Sequence, residues 1–420
     1  MSSPACSVVI PSHHRAGLLD VVLRALASQT APIRSFEVIV VLDGIDDASE
    51  AVLSRWSSEG PLVLRWTHQD RAGQAAARNR GVAMAVAPVI LFLDDDVVPE
   101  PDLVVRHLRN HVRGERVAVL GDCPVARTES LSLYQLGVWA WWEDTYYHRA
   151  QTGHVPTYRD FCAGNVSVRR DDLIALGGFD ASFRGYGGED YELGHRLLTS
   201  GVRFVVDREA RGEHRHAATL ARVLRAARDE GAADVMLGER HPDLRAGLRL
   251  MRPEDINGYR AARLAFDNPR IGAFVAACLR PILRSHELLR RRARWLRVFN
   301  FLRAHAYWRG VADALGSRAS LAAYRAGALA PPQQEIDITN GLPDPLPRLW
   351  VDGPSTLVVT AFGRRLGEIR IEGPLEEPVR TRLAEQIAYQ LRFRMMGLLA
   401  DGGRPRWDHG TDHASTGVGA

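Results

Sequence analysis

Val89-Ile90-Leu91-Phe92-Leu93-Asp94-Asp95-Asp96 is the stretch on which the rest of this 420-residue sequence depends. Its five apolar residues are typical of a strand that is buried on both faces, as in a parallel sheet. Three adjacent carboxylates cannot continue into a core, because each would lose its hydration. They therefore mark the carboxyl end of the strand, the edge of an open α/β sheet at which ligands bind. Two interpretations stay open for this run alone: a Mg²⁺ or Mn²⁺ site shared with a substrate phosphate, or an acidic cap on a turn.

Apolar runs and helical periodicities alternate on both sides of this strand. The predicted strands and helices before it are strands 7–10, 36–42 and 62–67, and helices 18–28, 46–56 and 73–86. Their β-α-β-α-β-α-β order predicts an α/β fold with a mostly parallel, Rossmann-like sheet and right-handed crossovers. Polar residues end the first two strands, so Pro11, Ser12 and Asp43 are expected at the same edge as the acidic run.

The chain after the acidic run continues the α/β pattern and contains one unusual segment. The further predicted elements are strands 117–120, 161–168 and 204–206, and helices 101–113 and 191–199. Residues 134–158 are dense in Trp and Tyr. Such a segment is either a platform for a sugar or aromatic acceptor, or a helix that packs its aromatic side chains into the core.

The composition is that of a folded protein, with 46% hydrophobic and 25% charged residues. A net charge of +4 is small for this length and predicts no nucleic-acid partner. The four cysteines are scattered without a CxxC pair, which argues against a zinc site and against a disulfide framework.

The chain reaches a strand at Cys6, and no stretch approaches the ~20 apolar residues of a spanning helix. We therefore expect a cytoplasmic protein, with peripheral contact at the inner face of the membrane as an open alternative.

The second half is helical and in one place strongly basic. Residues 280–309 hold nine arginines against a single acid, with Pro281 expected in a first helical turn. Ile282, Leu289 and Leu296 form an apolar stripe beside these arginines. Three interpretations stay open: an element that lies on an anionic membrane, a helix packed on the catalytic domain, or a contact in a homo-oligomer.

Composition and linkers divide the chain into four parts. We predict a catalytic domain over 1–220, a helical and partly basic region over 221–330, a small hairpin-plus-helix α+β domain over 331–400, and a disordered tail over 401–420. The hairpin is placed at 356–371 and its helix at 378–399.

Taken together, the motifs of residues 5–220 resemble the inverting glycosyltransferases of family 2, which have the GT-A fold. Six segments in the same order carry the resemblance: the opening strand with Pro11, Ser12 and Arg15, the turn Asp43-Gly44, the segment from Gly73 to Gly81 with Arg78, the acidic run with Asp94 to Asp96, the segment Gly187-Gly188-Glu189-Asp190, and His214. His13-His14 and Ile45 depart from the usual pattern.

The resemblance implies a nucleoside-diphosphate sugar donor, of UDP or dTDP type, and a donor site. Its residues would be Pro11, Ser12, Arg15, Asp43, Gly73, Arg78, Asp94 and Asp95. Arg78 has the alternative of being a surface helix arginine, and Asp94 that of only shaping the turn. Asp96 and His214 would hold Mn²⁺ or Mg²⁺, with His216 as the alternative to His214.

The resemblance also implies the catalytic groups. Asp190 would be the general base for an acceptor hydroxyl and Glu189 would orient the acceptor, although these adjacent carboxylates could exchange roles. The acceptor would be a glycan, a lipid-linked saccharide or a small natural product. Two rival functions stay open: a sugar-nucleotide nucleotidyltransferase, and a non-catalytic module that binds nucleotide sugars.

Overall fold

The computed structural model divides into two compact units, one of residues 1–151 and 156–329, the other of residues 152–155 and 330–420. The structure describes residues 3–111, 115–126, 133, 156–215, 219–251, 256–327, 333–339, 342, 355–362, 364–371, 383, 384, 387 and 391. The predicted aromatic stretch up to residue 155, His216, most of the helix predicted at 378–399, and the tail lie outside these residues. The three boundaries between the four predicted parts stay predictions.

An eight-stranded mixed sheet forms the centre of the first unit, in the order β3-β2-β1-β4-β7-β6-β8-β5. The strands are β1 (Cys6–Ser12), β2 (Phe36–Asp43), β3 (Leu64–Gln69), β4 (Val89–Leu93), β5 (Val97–Pro99), β6 (Val117–Asp122), β7 (Asn165–Arg169) and β8 (Arg203–His214). β1 to β4 pair in parallel, whereas β7 runs antiparallel between β4 and β6, and β5 pairs antiparallel with β8. The predicted α/β class with a mostly parallel sheet is confirmed.

The helices of the first half join the strands of the sheet and cover it. They are α1 (Ala16–Ala27), α2 (Asp47–Glu59), α3 (Gln74–Met84), α4 (Leu103–Asn110), α5 (Arg170–Ala175) and α6 (Glu189–Thr199). In α1 the helical spacing of apolar residues matches the buried face. The buried residues of this helix are Leu19, Val22, Leu23 and Leu26. The strand predicted at 161–168 is shorter and begins at Asn165.

The register of the parallel strands fixes where the polar strand ends meet. Val9 lies opposite Ile39 on β2 and Phe92 on β4. Ser12 and Asp43 end their strands, and Asp94 directly follows β4. Polar residues that follow these three strands are therefore brought to one edge of the sheet, as the sequence predicts.

Helices dominate the rest of the first unit. They are α7 (Leu220–Arg240), α8 (Pro242–Arg245), α9 (Ile256–Phe266), α10 (Pro269–Leu288), α11 (Arg292–Leu315) and α12 (Arg318–Ala326). A Cβ atom on Gly231 of α7 or on Gly310 of α11 would clash with the backbone of the other helix. The two helices therefore cross at close backbone contact, which only glycine permits.

The prediction of one basic helix over 280–309 is wrong in its continuity. α10 ends at Leu288 and α11 begins at Arg292, with Arg290 in the left-handed region at φ 49°. Pro281 lies inside α10 and not in a first turn. The break lets α11 turn its buried Trp295, Phe299 and Leu302 into an apolar cluster with Leu224 of α7. Among the described helices, none is long and apolar enough to cross a lipid bilayer.

The second unit contains a three-stranded sheet in the order β11-β10-β9. Its strands are β9 (Gln333–Asp337), β10 (Ser355–Ala361) and β11 (Arg364–Ile371). β10 and β11 form the antiparallel hairpin that the sequence predicts, and β9 pairs with β10 in parallel.

Candidate active site

A cavity of about 640 Å³ lies at the carboxyl ends of β1 and β2. Six of the eight predicted donor-binding residues line it: Pro11, Ser12, Arg15, Asp43, Gly73 and Asp95. Three residues that the sequence did not single out, Arg71, Arg184 and Arg222, also line this cavity. With Arg15 they give it four guanidinium groups, which suits a ligand carrying phosphates. We call it the first cavity.

Asp43 organises the wall of the first cavity. Its carboxylate accepts hydrogen bonds from Gln69 Nε2 (2.9 Å) and from the backbone amides of Ala72 (2.8 Å) and Gly73 (3.0 Å). Because a carboxylate offers about four acceptor sites, Asp43 retains the capacity for one more donor. Asp43 thus both anchors the segment before α3 and presents an acceptor to the cavity.

Asp95 is held by two neighbours from the end of β1 and the turn after it. Ser12 Oγ donates to Asp95 Oδ2 (2.7 Å), and Arg15 Nη1 donates to Asp95 Oδ1 (2.6 Å). Burial raises the pKa of Asp95 to about 6, although the charge of Arg15 opposes this shift. A second cation at this position would favour the ionised form further.

Asp96 lies between Arg15 and His214. Arg15 Nη1 is 2.5 Å from Asp96 Oδ2, and His214 Nε2 is 3.4 Å from Asp96 Oδ1. The pairing of Val97 with His214 in the β5–β8 ladder fixes this contact between residues far apart in sequence. Two ligand atoms of an octahedral Mg²⁺ or Mn²⁺ ion lie about 3 Å apart, so a carboxylate and an imidazole at this separation fit a divalent ion with only a small adjustment.

Arg78 of α3 is buried and joins three carboxylates. Its guanidinium donates to Asp94 Oδ1 (3.0 Å), Glu189 Oε1 (3.1 Å) and Asp190 Oδ1 (3.3 Å), and it lies 5.4 Å from the centre of the Phe179 ring. Burial disfavours its charged form, but the three carboxylates outweigh burial and raise its pKa. The alternative of a surface arginine does not hold, because only 1% of Arg78 is exposed.

Asp190 and Glu189 open α6 directly after Gly188, whose φ of 96° is favourable only for glycine. The Asp190 carboxylate accepts from Arg78 and from the Ala163 amide (3.0 Å). Its side chain is 20% exposed, against 4% for that of Glu189. Burial raises the pKa of Asp190, while Arg78 and the Ala163 amide oppose the shift. Burial and then the charge of Asp190 raise the pKa of Glu189.

A second cavity of about 350 Å³ lies over Asp190 and Glu189. Arg78, Asp94 and His214 line this second cavity and not the first, and Gln74 and Tyr186 line both. The opposite wall comes from the helical region: Glu230, Ala233, Asp234, Leu248, Arg249 and Tyr307. Sequence reasoning missed these wall residues, because no local motif marks a contact made by packing α7 and α11.

Two half-buried carboxylates characterise the wall from the helical region. Burial raises the pKa values of Glu230 and Asp234, which Arg303 and Tyr307 respectively counteract most strongly. Tyr307 donates to Asp234 Oδ2 (2.5 Å), and Arg303 lies 3.7 Å from Glu230. A cavity with such carboxylates and arginines suits a polyhydroxylated ligand.

Comparisons with known proteins give two family matches. Residues 7–177 match the family described as glycosyl transferase family 2. Residues 147–218 match a family described as the N-terminal domain of galactosyltransferase. Together the two matches span the six motifs and the sheet of the first unit.

Individual relatives extend over about half of the chain. The validoxylamine A glucosyltransferase of Streptomyces hygroscopicus subsp. jinggangensis is 35% identical over 234 residues, which are 50% of this chain and 55% of that relative. The pre-mycofactocin glycosyltransferase of Mycobacterium tuberculosis is 31% identical over 255 residues, 58% of this chain and 49% of that relative. The chain thus spans about half the length of these curated relatives. A mannosyltransferase structure from Pyrobaculum calidifontis matches with 18% identity and a TM-score of 0.48, covering 74% of this chain and 88% of that one.

Proposed function

We propose that the protein is a metal-dependent inverting glycosyltransferase, because its residues 7–177 match glycosyl transferase family 2. It would move a sugar from a nucleoside-diphosphate sugar to an acceptor hydroxyl. One observation carries the proposal: a cavity with the predicted donor residues and a cavity over Asp190 adjoin each other at Gln74 and Tyr186. A donor in the first cavity and an acceptor in the second would then meet at the acidic run.

The first cavity is proposed to bind the donor. Asp43 retains an acceptor site, which suits the imide N–H of uracil or thymine and supports a UDP- or dTDP-sugar. Arg15 and the three further arginines of the first cavity supply cationic donors for the diphosphate. Asp95 is placed to bind the ribose or to support the metal site.

Asp96 and His214 are proposed to hold Mn²⁺ or Mg²⁺, with diphosphate oxygens and water as the remaining ligands. When bound, such an ion stabilises the negative charge that develops on the leaving nucleoside diphosphate. The single positive charge of Arg15 lies against both Asp95 and Asp96 and offsets part of their negative charge.

Asp190 is proposed as the general base. Its carboxylate is open to the second cavity, whereas Glu189 is almost fully buried and bound to Arg78. Asp190 would take the proton of an acceptor hydroxyl as that oxygen attacks the anomeric carbon opposite the diphosphate. The single displacement would invert the anomeric centre. Arg78 would hold Asp190 ionised and in place, as a positioning residue.

The acceptor is proposed to be a small polyhydroxylated molecule bound by the helical region. The 350 Å³ of the second cavity suits one or two sugar-sized rings. Similarity to a validoxylamine A glucosyltransferase supports a small natural-product acceptor over a long glycan. A lipid-linked acceptor remains the alternative that the basic surface favours.

That basic surface is formed by the end of α10 and the start of α11. Leu288 and Leu289 are exposed there beside Arg290, Arg291 and Arg292. Exposed leucines among arginines suit an anionic lipid surface, which attracts each basic residue by about 1 kcal/mol. We propose peripheral contact with the membrane through this surface; the homo-oligomer alternative stays a prediction.

Incubating the protein and Mn²⁺ with UDP-, dTDP- and GDP-sugars tests the proposed function. With a panel of small polyol acceptors, we expect release of a nucleoside diphosphate and a glycosylated product of inverted configuration. Release of pyrophosphate would instead indicate a nucleotidyltransferase, and binding of the donor without any turnover would indicate a non-catalytic module.

A further inference from the structure

Four side chains link α6 to the turn between α7 and α8. Glu192 and His195 lie on α6, and His241 and Asp243 lie on either side of the start of α8. His195 Nε2 is 3.4 Å from Asp243 Oδ2, and His241 Nε2 is 3.0 Å from Glu192 Oε1. The two imidazole rings are 4.7 Å apart at an angle of 69°. α6 contributes one histidine and one carboxylate to the cluster, and the turn at the start of α8 contributes the same pair of residue types.

This cluster has the composition and spacing of a metal site. One ligand atom from each of His195, His241 and Asp243 lies within 4.8 Å of the others, and no other such group of three occurs in the described part of the chain. Two ligands of a tetrahedral Zn²⁺ ion at its usual bond lengths lie about 3.3–3.4 Å apart, as His195 and Asp243 do. Rotations that move the side chains by about 1 Å would bring all three onto one ion.

The hydrogen bonds of Glu192 and the low exposure of the two histidines favour a stable metal site. Glu192 is fixed by Arg196, which donates to both of its oxygens at 2.7 and 2.5 Å, and in turn it bonds His241. A carboxylate that orients an imidazole is the usual outer partner of a metal-bound histidine. The side chains of His195 and His241 are 9% and 18% exposed, whereas that of Asp243 is 40% exposed and leaves a path for an ion.

We propose that His195, His241 and Asp243 bind a divalent transition-metal ion, with Zn²⁺ as the best match. Imidazole nitrogen suits Zn²⁺ better than Mg²⁺ or Mn²⁺, so this site differs in selectivity from the one proposed at Asp96. Cysteine motifs are the zinc-binding pattern that a sequence reveals most readily. The scattered cysteines of this chain form no such motif, so the sequence alone argues against zinc. A set built from two histidines and an aspartate on separate helices leaves no such local pattern.

The position of the ion gives it a structural role. α6 begins with Glu189 and Asp190, and the helix before His241 carries Glu230 and Asp234 of the second cavity. An ion bound to both elements would fix one wall of that cavity against the other. This inference does not depend on the sugar-transfer reaction, since the ion would bind in the absence of donor and acceptor.

Titration of the full, EDTA-treated and dialysed chain with Co²⁺ tests the proposal, because tetrahedral Co²⁺ has a visible d–d absorption that octahedral Co²⁺ largely lacks. We expect a tetrahedral band that saturates at one equivalent and disappears when Zn²⁺ is added. His195→Ala and Asp243→Asn should weaken Co²⁺ binding at least about 10-fold. Circular dichroism checks their folding, and the exposed Asp243 makes its isosteric variant the safer of the two.

Two control variants separate this site from others. His68→Ala removes a histidine that lies 3.8 Å from Glu50 but belongs to no three-ligand group in the described part of the chain, and it should leave the band unchanged. Asp96→Ala should also retain the band, because it affects only the ion proposed for catalysis. Absence of a tetrahedral band in the unaltered protein, or a band of full strength in folded Asp243→Asn and His195→Ala, would overturn the proposal.

Discussion

Replacing Arg78 with methionine removes the cation that joins Asp94, Glu189 and Asp190. Methionine fills similar space without charge, so the three carboxylates would lose their shared partner. Removing one member of a fully buried ion pair costs about 3–5 kcal/mol. Only the contact with Glu189 is buried on both sides, whereas Asp94 and Asp190 are 26% and 20% exposed and their contacts are weakened by solvent. We therefore expect a loss near the lower limit, about 3 kcal/mol of unfolding free energy.

The loss should be visible in thermal unfolding. A unit of this size loses about 2 °C per kcal/mol, which predicts a Tm lower by about 6 °C. Arg78→Lys keeps the charge and should lose less, and the double variant Arg78→Met/Glu189→Gln should regain part of the stability because the buried carboxylate is then neutral. Calorimetry of these variants provides the comparison.

Kinetics of the same variant distinguish a positioning role from direct contact with the donor. If Arg78 positions Asp190, Arg78→Met raises the pKa of that carboxyl, and the pH at which activity reaches half its maximum moves upward while the donor Kd changes little. An unchanged Tm together with a large loss of donor affinity would refute the positioning role and favour the donor-binding role that the family resemblance implies.

Three further predictions concern the metal, the pH profile and the membrane surface. Asp96→Ala should lose Mn²⁺-dependent donor binding in calorimetric titration, and full activity of the unaltered protein in excess EDTA would contradict the metal role. Activity should rise with pH and reach half its maximum above about 4, the ordinary value for aspartate, because burial raises the pKa of Asp190 and only its ionised form accepts a proton. The full chain should co-sediment with anionic liposomes at low salt. Leu288→Ser/Leu289→Ser should reduce that binding, whereas Ile45→Ser, an exposed apolar residue elsewhere in the unit, should not.

The strands and helices of the first sheet could be predicted because each has a recognisable pattern of apolar residues within its own segment. Buried runs such as Val89 to Leu93 and the helical spacing of Leu19, Val22, Leu23 and Leu26 specify strand and helix without long-range information. The parallel order then requires the strand ends to meet, and for this reason Ser12, Asp43 and Asp95 are expected at one edge of the sheet. In the structure they line the same cavity.

Such local patterns do not predict contacts between segments that are distant in sequence. The helical spacing of the 280–309 segment gave no sign that Arg290 would adopt a left-handed conformation, since the break serves the packing of α11 on α7. Arg78 has no local feature that reveals its contacts with Glu189 and Asp190, which follow from the folding of α6 onto α3. The wall with Glu230 and Asp234 depends on the tertiary contact between α7 and α11, which cross closely at Gly231 and Gly310.

The most direct test of the account is a single-turnover comparison of Asp190→Asn with the unaltered protein, with donor and Mn²⁺ bound before the acceptor is added. Asparagine keeps the shape of the side chain and its contact with the second cavity but cannot accept a proton. We predict that the rate of sugar transfer falls by about 10²–10⁴-fold while the donor Kd stays within about twofold. A transfer rate close to that of the unaltered protein would contradict the role of Asp190 as the base, and with it the proposed mechanism.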